Sequence, residues 1–152
     1  MLGVCYRYAS SRDEAEDYLQ DAFITIFRKL NQWKGEGELG AWIRRIVVNT
    51  CLNGIKAKHR LSEYLSDTSP EEIPDIIAES GNENADELME LVRQLPLGYK
   101  TVFNLYAIEG YSHEEIGKML NIQTVTSRSQ FMKARKMLMQ KLNSEPGQTV
   151  KN

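Results

Sequence analysis

The chain has 152 residues, 41% hydrophobic and 26% charged, with 10 Gly and 4 Pro, which excludes collagen-like and wholly disordered classes and is too short for a multidomain enzyme. No window approaches the ~18 uninterrupted apolar residues of a membrane span, and Arg7 interrupts the N-terminus before a signal-peptide core could form, so a cytoplasmic protein without membrane insertion is expected. The net charge of −2 hides a division into +3 over residues 1–60, −9 over 61–95 and +4 over 96–152, two basic ends suited to a polyanion and an acidic stretch that is not.

Ser11 followed by Glu14 spells a capping box. Behind it Ala15, Leu19, Ala22, Phe23, Ile26 and Leu30 recur at i+3/i+4 spacing, which predicts one helix over residues 12–32 with these side chains inward. Lys34-Gly35-Glu36-Gly37-Glu38 breaks that helix, since two glycines so close lower helical propensity and free the backbone. Leu39, Ile43, Ile46, Val47, Thr50 and Ile55 then form the expected buried stripe of a second helix that ends near Lys58. Arg45, Asn49, Asn53, Lys56 and Arg60 fall on the other side. Arginine and lysine suit phosphates and asparagine amides can read a base edge, so this face combines positioning with recognition. The loop before it, with Trp33 and Lys34 at its edge, offers an aromatic ring to an unstacked base, although tryptophans such as Trp33 and Trp42 belong more often to a core. Cys5 and Cys51 have no CxxC or histidine companion at ligand spacing, so buried reduced thiols are expected rather than a disulfide or a zinc site.

From Ser62 to Asn84 the texture changes to Ser, Asp, Pro, Glu, Gly and Asn, with Pro70 and Pro74 blocking helix. Leu65, Ile73, Ile76 and Ile77 hold no sustained period, so 61–84 reads as an acidic linker; docking of the three isoleucines on a neighbouring domain is the alternative. Ala85–Gln94 and Gly98–Ile108 read as short amphipathic helices punctuated by Leu95-Pro96. Ser112-His113-Glu114-Glu115 is a second capping box, opening a helix whose Ile116, Met119 and Leu120 point one way and which Asn121 ends. Thr124 can cap a long helix with Phe131, Ala134, Leu138 and Leu142 inward, and two helices joined by so tight a turn have the helix-turn-helix layout. Between Ile122 and Leu142 stand Arg128, Lys133, Arg135, Lys136 and Lys141 and no acid. An ordinary solvated helix mixes signs, so a DNA-binding face is favoured over a merely solubilising one. Thr126, Ser127, Ser129 and Gln130 lie near its N-terminal end, where such helices enter the major groove. The expected fold class is all-α: two small helical domains, 1–60 and 85–144, joined by the linker and followed by a disordered tail at 145–152.

These residues resemble those of the extracytoplasmic-function (group 4) sigma factors of the sigma-70 family. Tyr8-Ala9, Asp13-Glu14-Ala15-Glu16-Asp17, Leu19-Gln20-Asp21-Ala22-Phe23, Phe27-Arg28-Lys29-Leu30 and Gly37-Glu38-Leu39-Gly40-Ala41-Trp42-Ile43-Arg44-Arg45-Ile46-Val47-Val48-Asn49 are similar to region 2. Leu95-Pro96, Tyr99, Val102-Phe103, Leu105-Tyr106, Glu109-Gly110-Tyr111-Ser112-His113-Glu114-Glu115-Ile116, Ser127-Arg128-Ser129-Gln130 and Lys133-Ala134-Arg135 are similar to region 4. The resemblance implies a bacterial transcription initiation subunit that binds core RNA polymerase, sets region 4 in the major groove of the −35 element and uses region 2 to capture and open the −10 element, with an anti-sigma factor as a further partner. Carried onto this chain, −35 contacts fall on Thr126, Ser127, Arg128, Ser129, Gln130, Lys133 and Lys136. The −10 role falls on Lys34, Glu36 and Glu38 of the loop and on Arg45, Asn49, Asn53 and Lys56. Polymerase binding falls on Gln20, Asp21, Ile24, Phe27 and Arg28 of the first long helix, where Ile24 and Phe27 are apolar on a side the inner stripe does not need.

Two departures stand out. Members of the family usually begin with a helix ahead of the one equivalent to Val4–Tyr8, so either the natural start lies upstream of Met1 or the region-2 bundle lacks its first helix, in which case Leu19, Phe23 and Ile43 are less covered. Val125 stands where the family commonly has glycine. His59 and His113 are far apart, and no nucleophile–base pair, metal cluster or phosphate loop emerges, so neither catalysis, a cofactor nor a small-molecule substrate is expected. The other readings are a helix-turn-helix regulator that works without polymerase and a module that holds an acidic partner.

Overall fold

Ser11 Oγ accepts the backbone N–H of Glu14 at 3.1 Å, and the chain turns into its first long helix there, as the Ser-x-x-Glu spacing predicts. The structure, a computed structural model, describes residues 1–59 and 83–144. Every regular element among the described residues is helical: α1 (Leu2–Tyr8), α2 (Arg12–Lys29, closed by a 3₁₀ turn at Leu30–Gln32), α3 (Leu39–His59), α4 (Glu83–Arg93), α5 (Leu97–Phe103, running on as a π-helical stretch Asn104–Ile108), α6 (His113–Leu120) and α7 (Thr124–Ser144). They form two compact units, α1–α3 and α4–α7. The expected linker at 61–84 and tail at 145–152 lie outside the described residues, except that Glu83 and Asn84 already belong to α4.

In the N-terminal unit the buried line of α2 is Ala15, Tyr18, Ala22 and Ile26. Leu19 is only half-buried, and Phe23 and Leu30 are 43% and 44% exposed, which corrects the expected stripe. Leu19 and Phe23 lie one position after Tyr18 and Ala22, on the flank of the buried line, and Leu30 falls in the 3₁₀ turn where the α-helix has already ended. On α3 the buried set is Val47, Val48, Cys51, Leu52 and Ile55, while Leu39 is exposed and Ile43, Ile46 and Thr50 are half-buried. Thr50 Oγ1 satisfies itself on the Ile46 carbonyl at 2.8 Å, a local bond that needs no buried partner. Where α2 and α3 meet, a Cβ at Gly54 would run into the Tyr18 ring, so the buried tyrosine and the missing side chain go together. Cys5 on α1 and Cys51 on α3 are free and fully buried. A hydrogen bond from Cys51 holds the Cys5 thiol below its ordinary pKa against the opposing effect of burial.

Only half of the first capping box closes on the helix end. Glu14 Oε2 accepts from the Ser10 backbone N–H and hydroxyl, and its Oε1 accepts from Lys58 Nζ of α3 at 3.0 Å. Burial would push this carboxyl up, but the two Ser10 bonds and Lys58 hold it down at about 2.

In the C-terminal unit Leu91, Val92 and Leu95 meet Tyr99 of α5 and Ala134 and Leu138 of α7, with Phe103, Met137 and Leu142 half-buried around them. Pro96 fills the N-cap position of α5. The predicted helix Gly98–Ile108 changes pitch after Phe103, where the Glu109 N–H donates to the Asn104 carbonyl at 2.9 Å, five residues back. The second capping box is complete: Ser112 Oγ accepts from Glu115 N and the Glu115 carboxylate accepts from Ser112 N. Asn121 ends α6 in the left-handed region at φ 56°. The turn then closes by Ile122 N–H on the Gly117 carbonyl at 2.9 Å, an approach that needs glycine, since a Cβ at Gly117 would stand 2.8 Å from the Ile122 oxygen. Ser127 N–H donates to the Gln123 carbonyl at 3.1 Å, so Gln123, not Thr124, holds the cap position of α7.

Candidate nucleic-acid interface

A long helix with one apolar line must turn its charges to the opposite side, and α7 does so. Ala134 and Leu138 are buried, while Arg128, Ser129, Lys133, Arg135 and Lys136 are exposed and Thr126 is half-buried. None of these four cations forms an ion pair with a described residue, and the two carboxylates of α6 are engaged within their own helix: Glu114 with Lys118 at 3.8 Å and Glu115 in its capping box. The face is therefore positive without internal compensation, the arrangement a polyanion neutralises.

Ser127 and Gln130 do not share it. Ser127 is 0% exposed and Gln130 4%, a correction to the expected DNA-contacting set. The reason is tertiary: Ser127 Oγ lies 2.9 Å from His113 Nδ1 of α6, so the hydroxyl is satisfied inside the unit, and both residues lie on the side of α7 that carries Ala134. The outer face instead includes Val125, 62% exposed, and Met132 and Met139, 59% and 54% exposed. The two methionines line a shallow groove of about 610 Å³ with Lys133, Arg135 and Lys136. Sequence reasoning missed them because methionine reads as core. The signal was present, since the i, i+7 spacing puts both on the basic side.

On the N-terminal unit the loop before α3 is open. Gly35 and Gly37 adopt φ of 72° and 75°, a region side chains disfavour, and Lys34, Glu36 and Glu38 around them are exposed. The loop is tied at its ends, by Trp33 N–H on the Leu30 carbonyl at 3.3 Å and Trp42 N–H on the Glu38 carbonyl at 3.2 Å. Trp33 itself is half-buried. Arg45, Asn49 and Asn53 are exposed along α3 with Lys56 half-buried at the end of the row, opposite Val47, Val48, Cys51 and Ile55. Arg60, expected in the same row, lies outside the described residues.

A third surface is the outside of α2. Gln20, Asp21 and Arg28 are exposed, and so are Ile24 at 51% and Phe27 at 72%. The Phe27 ring stacks on Phe23 with centroids 6.4 Å apart. Two stacked phenyl rings in water beside charged residues form a compact apolar patch with a polar rim, the pattern of a protein-binding surface.

Comparison with known proteins bears on both units. The family description Sigma-70 region 2 matches residues 1–61, and Sigma-70, region 4 matches residues 85–138. Similar curated proteins include the ECF RNA polymerase sigma-E factor of Escherichia coli (strain K12), 31% identical over 147 residues that cover 87% of this chain and 75% of that one. The RNA polymerase sigma-H factor of Pseudomonas aeruginosa is 28% identical over 151 residues, covering 91% and 78%. Among solved structures, the sigma factor RpoE in complex with the anti-sigma factor NepR from Bartonella quintana superposes with a TM-score of 0.61 at 19% identity, over 95% of this chain and 91% of that one, a likeness of fold.

Proposed function

The chain belongs to the extracytoplasmic-function branch of the sigma-70 family, and from that premise we propose how it divides promoter recognition among its surfaces. It directs core RNA polymerase to specific promoters and carries no chemistry of its own. We place it in the cytoplasm, where polymerase and promoter DNA meet; no described helix is long and apolar enough to cross a membrane.

The −35 element is read by the outer face of α7. Arg128 and Ser129, in the second turn of the helix, reach base edges, with Thr126 in the turn before them. Lys133, Arg135 and Lys136, one to two turns further on, meet phosphates, and Met132 offers an apolar contact of the kind a thymine methyl accepts. Ser127 and Gln130 serve from inside the fold. The observation that carries this reading is the run of exposed, uncompensated bases on one side of a helix whose other side is buried.

The −10 element is met by the glycine-hinged loop and the Arg45, Asn49, Asn53 and Lys56 row. Glu36 and Glu38 repel phosphate, so their use is at base edges, where a carboxylate accepts from an exocyclic amino group. Gln20, Asp21, Ile24, Phe27 and Arg28 form the polymerase-binding surface, and an anti-sigma factor is the partner that would hold the free protein inactive. Replacing Arg128 and Lys133 by alanine is expected to abolish promoter-specific transcription in a reconstituted assay and to leave core binding intact, with about 1–3 kcal/mol lost at the Arg128 base contact and a sequence-independent weakening from the Lys133 phosphate contact. Unchanged transcript levels would overturn the −35 assignment.

A further inference from the structure

His113 is the first residue of α6, yet its side chain does not serve that helix end, which Ser112 and Glu115 already close. It crosses to α7 instead. Its Nδ1 shares a hydrogen bond of 2.9 Å with Ser127 Oγ, and Ser127 is wholly buried one residue before Arg128. The imidazole is also held in its plane: Tyr106, from the π-helical stretch, stacks on it with centroids 4.1 Å apart and planes 9° from parallel. Phe131 of α7 tilts against both rings, 4.6 Å from Tyr106 and 5.9 Å from His113, and Phe103 stacks on Phe131 from beyond, at 5.8 Å. A ring stacked on one face and bonded at its edge has one orientation.

The two kinds of contact that hold α7 do different things. Burial of Ala134 and Leu138 against Leu91, Val92, Leu95 and Tyr99 sets how closely α7 approaches α4 and α5, but apolar packing is non-directional. A hydrogen bond is directional and weakens steeply as its angle falls. The bond at Ser127 therefore fixes the rotation of α7 about its own axis at the turn from which Arg128 and Ser129 project, and base readout by bidentate geometry depends on that rotation.

Resting on the reading of α7 as the −35 reader, we propose that His113 is a positioning residue for promoter recognition, acting through Ser127 to set the direction in which Arg128 points. The charges around it fit a ring that works neutral. Arg128 is the charged group that faces it from α7 and Tyr106 is the titratable group from the π-helical stretch; on its own helix Glu114 is engaged by Lys118 and Glu115 by Ser112. Burial and, after it, Arg128 hold the imidazole below its ordinary value of 6.5, so at pH 7 no second cation competes with Arg128 for its place.

The test uses the full chain assembled with core polymerase and two duplexes: one carrying the −35 sequence that the wild-type holoenzyme selects from a random pool, and a scrambled one. His113→Phe keeps the stack on Tyr106 and removes the hydrogen bond; Ser127→Ala removes only the bond. Each is expected to lower the ratio of specific to non-specific affinity about tenfold, with scrambled-duplex binding and core assembly unchanged. The double variant is expected to be no worse than either single one. His113→Asn, which restores a hydrogen-bonding group near the Nδ1 position, recovers most of the ratio. In the wild-type protein the His113 ring proton titrates by NMR below 6.5, and Arg128→Gln moves that titration up. If Ser127→Ala and His113→Phe both keep the wild-type ratio, or lose it additively, the positioning role is wrong. Arg128→Ala separates the two levels. Loss of the ratio there but not in the other two overturns this inference alone, whereas its retention in all three overturns the −35 assignment beneath it.

Discussion

Gly117→Ala tests whether the helix-turn-helix turn needs a missing side chain. The added Cβ would stand 2.8 Å from the Ile122 carbonyl oxygen, 0.6 Å short of the 3.4 Å at which ordinary contact begins, with Thr124 N at 3.6 Å and the Gln123 carbonyl carbon at 3.7 Å behind it. The obstacle is backbone, and that backbone is already tied to Gly117 by the Ile122 N–H. It yields only if the turn opens. Against this, alanine gains up to about 1 kcal/mol of helix propensity over glycine, while overpacking of this kind costs about 1–3 kcal/mol. The balance is a loss of about 1 kcal/mol in stability together with a displacement of α7 by a few tenths of an ångström. Arg128 sits five residues beyond the Gln123 that the turn carries, so the displacement reaches the bases. We expect about a tenfold loss in −35 duplex affinity, equivalent to one contact worth about 1.4 kcal/mol, with scrambled-duplex binding unchanged, measured by fluorescence anisotropy on the holoenzyme beside a thermal melt of the free chain. Lys118→Ala, on the same helix and with its ammonium exposed beside Glu114, is the control and should change little. A Gly117→Ala protein that melts higher and binds the −35 duplex as tightly as wild type would refute the reasoning.

Two further outcomes follow from the N-terminal unit. The Glu14 carboxyl is held at about 2 against a reference of 4.5, so its contribution is complete above pH 4.5 and disappears as pH falls toward 2; at about 1.4 kcal/mol per unit the ceiling is about 3.5 kcal/mol, and roughly half of that is expected with solvent screening. Glu14→Gln should therefore unfold at lower urea than wild type at pH 7, with the gap closing as pH falls from 4.5 to 2 and lost below it, and a gap independent of pH would discard the carboxylate as its source. Ile24→Ala with Phe27→Ala should leave the circular dichroism spectrum unchanged, because both side chains are exposed, and should lose co-purification with core polymerase; retained co-purification removes this surface from the polymerase-binding assignment.

Local signals in the sequence carried furthest. The Ser112–Glu115 box and the left-handed Asn121 depend on residues within one turn, and both are in place. The helix breaks at the Gly35–Gly37 loop and at Leu95-Pro96 are local too. What periodicity left open was rotation. An amphipathic pattern with adjacent candidates, such as Tyr18 and Leu19 or Ala22 and Phe23, admits two neighbouring stripes, and only the neighbouring helices choose between them. Polar residues were the harder case: nothing within reach of Ser127 in sequence announces that His113, fourteen residues earlier, will satisfy it, so a hydroxyl among basic residues reads as outward. The π-helical stretch at Asn104–Ile108 is likewise invisible to a pattern that assumes one pitch, although it is the stretch from which Tyr106 stacks on His113.

The unshielded cations of α7 make ionic strength act in opposite directions on the two states of this protein. Without DNA, Arg128, Lys133, Arg135 and Lys136 repel one another along a single rod, so added electrolyte, by shortening the range of that repulsion, firms the free helix. On a promoter the same electrolyte competes with the protein for the phosphates and loosens its hold. Dilute buffer thus favours a grip on DNA by a helix that is least settled when empty.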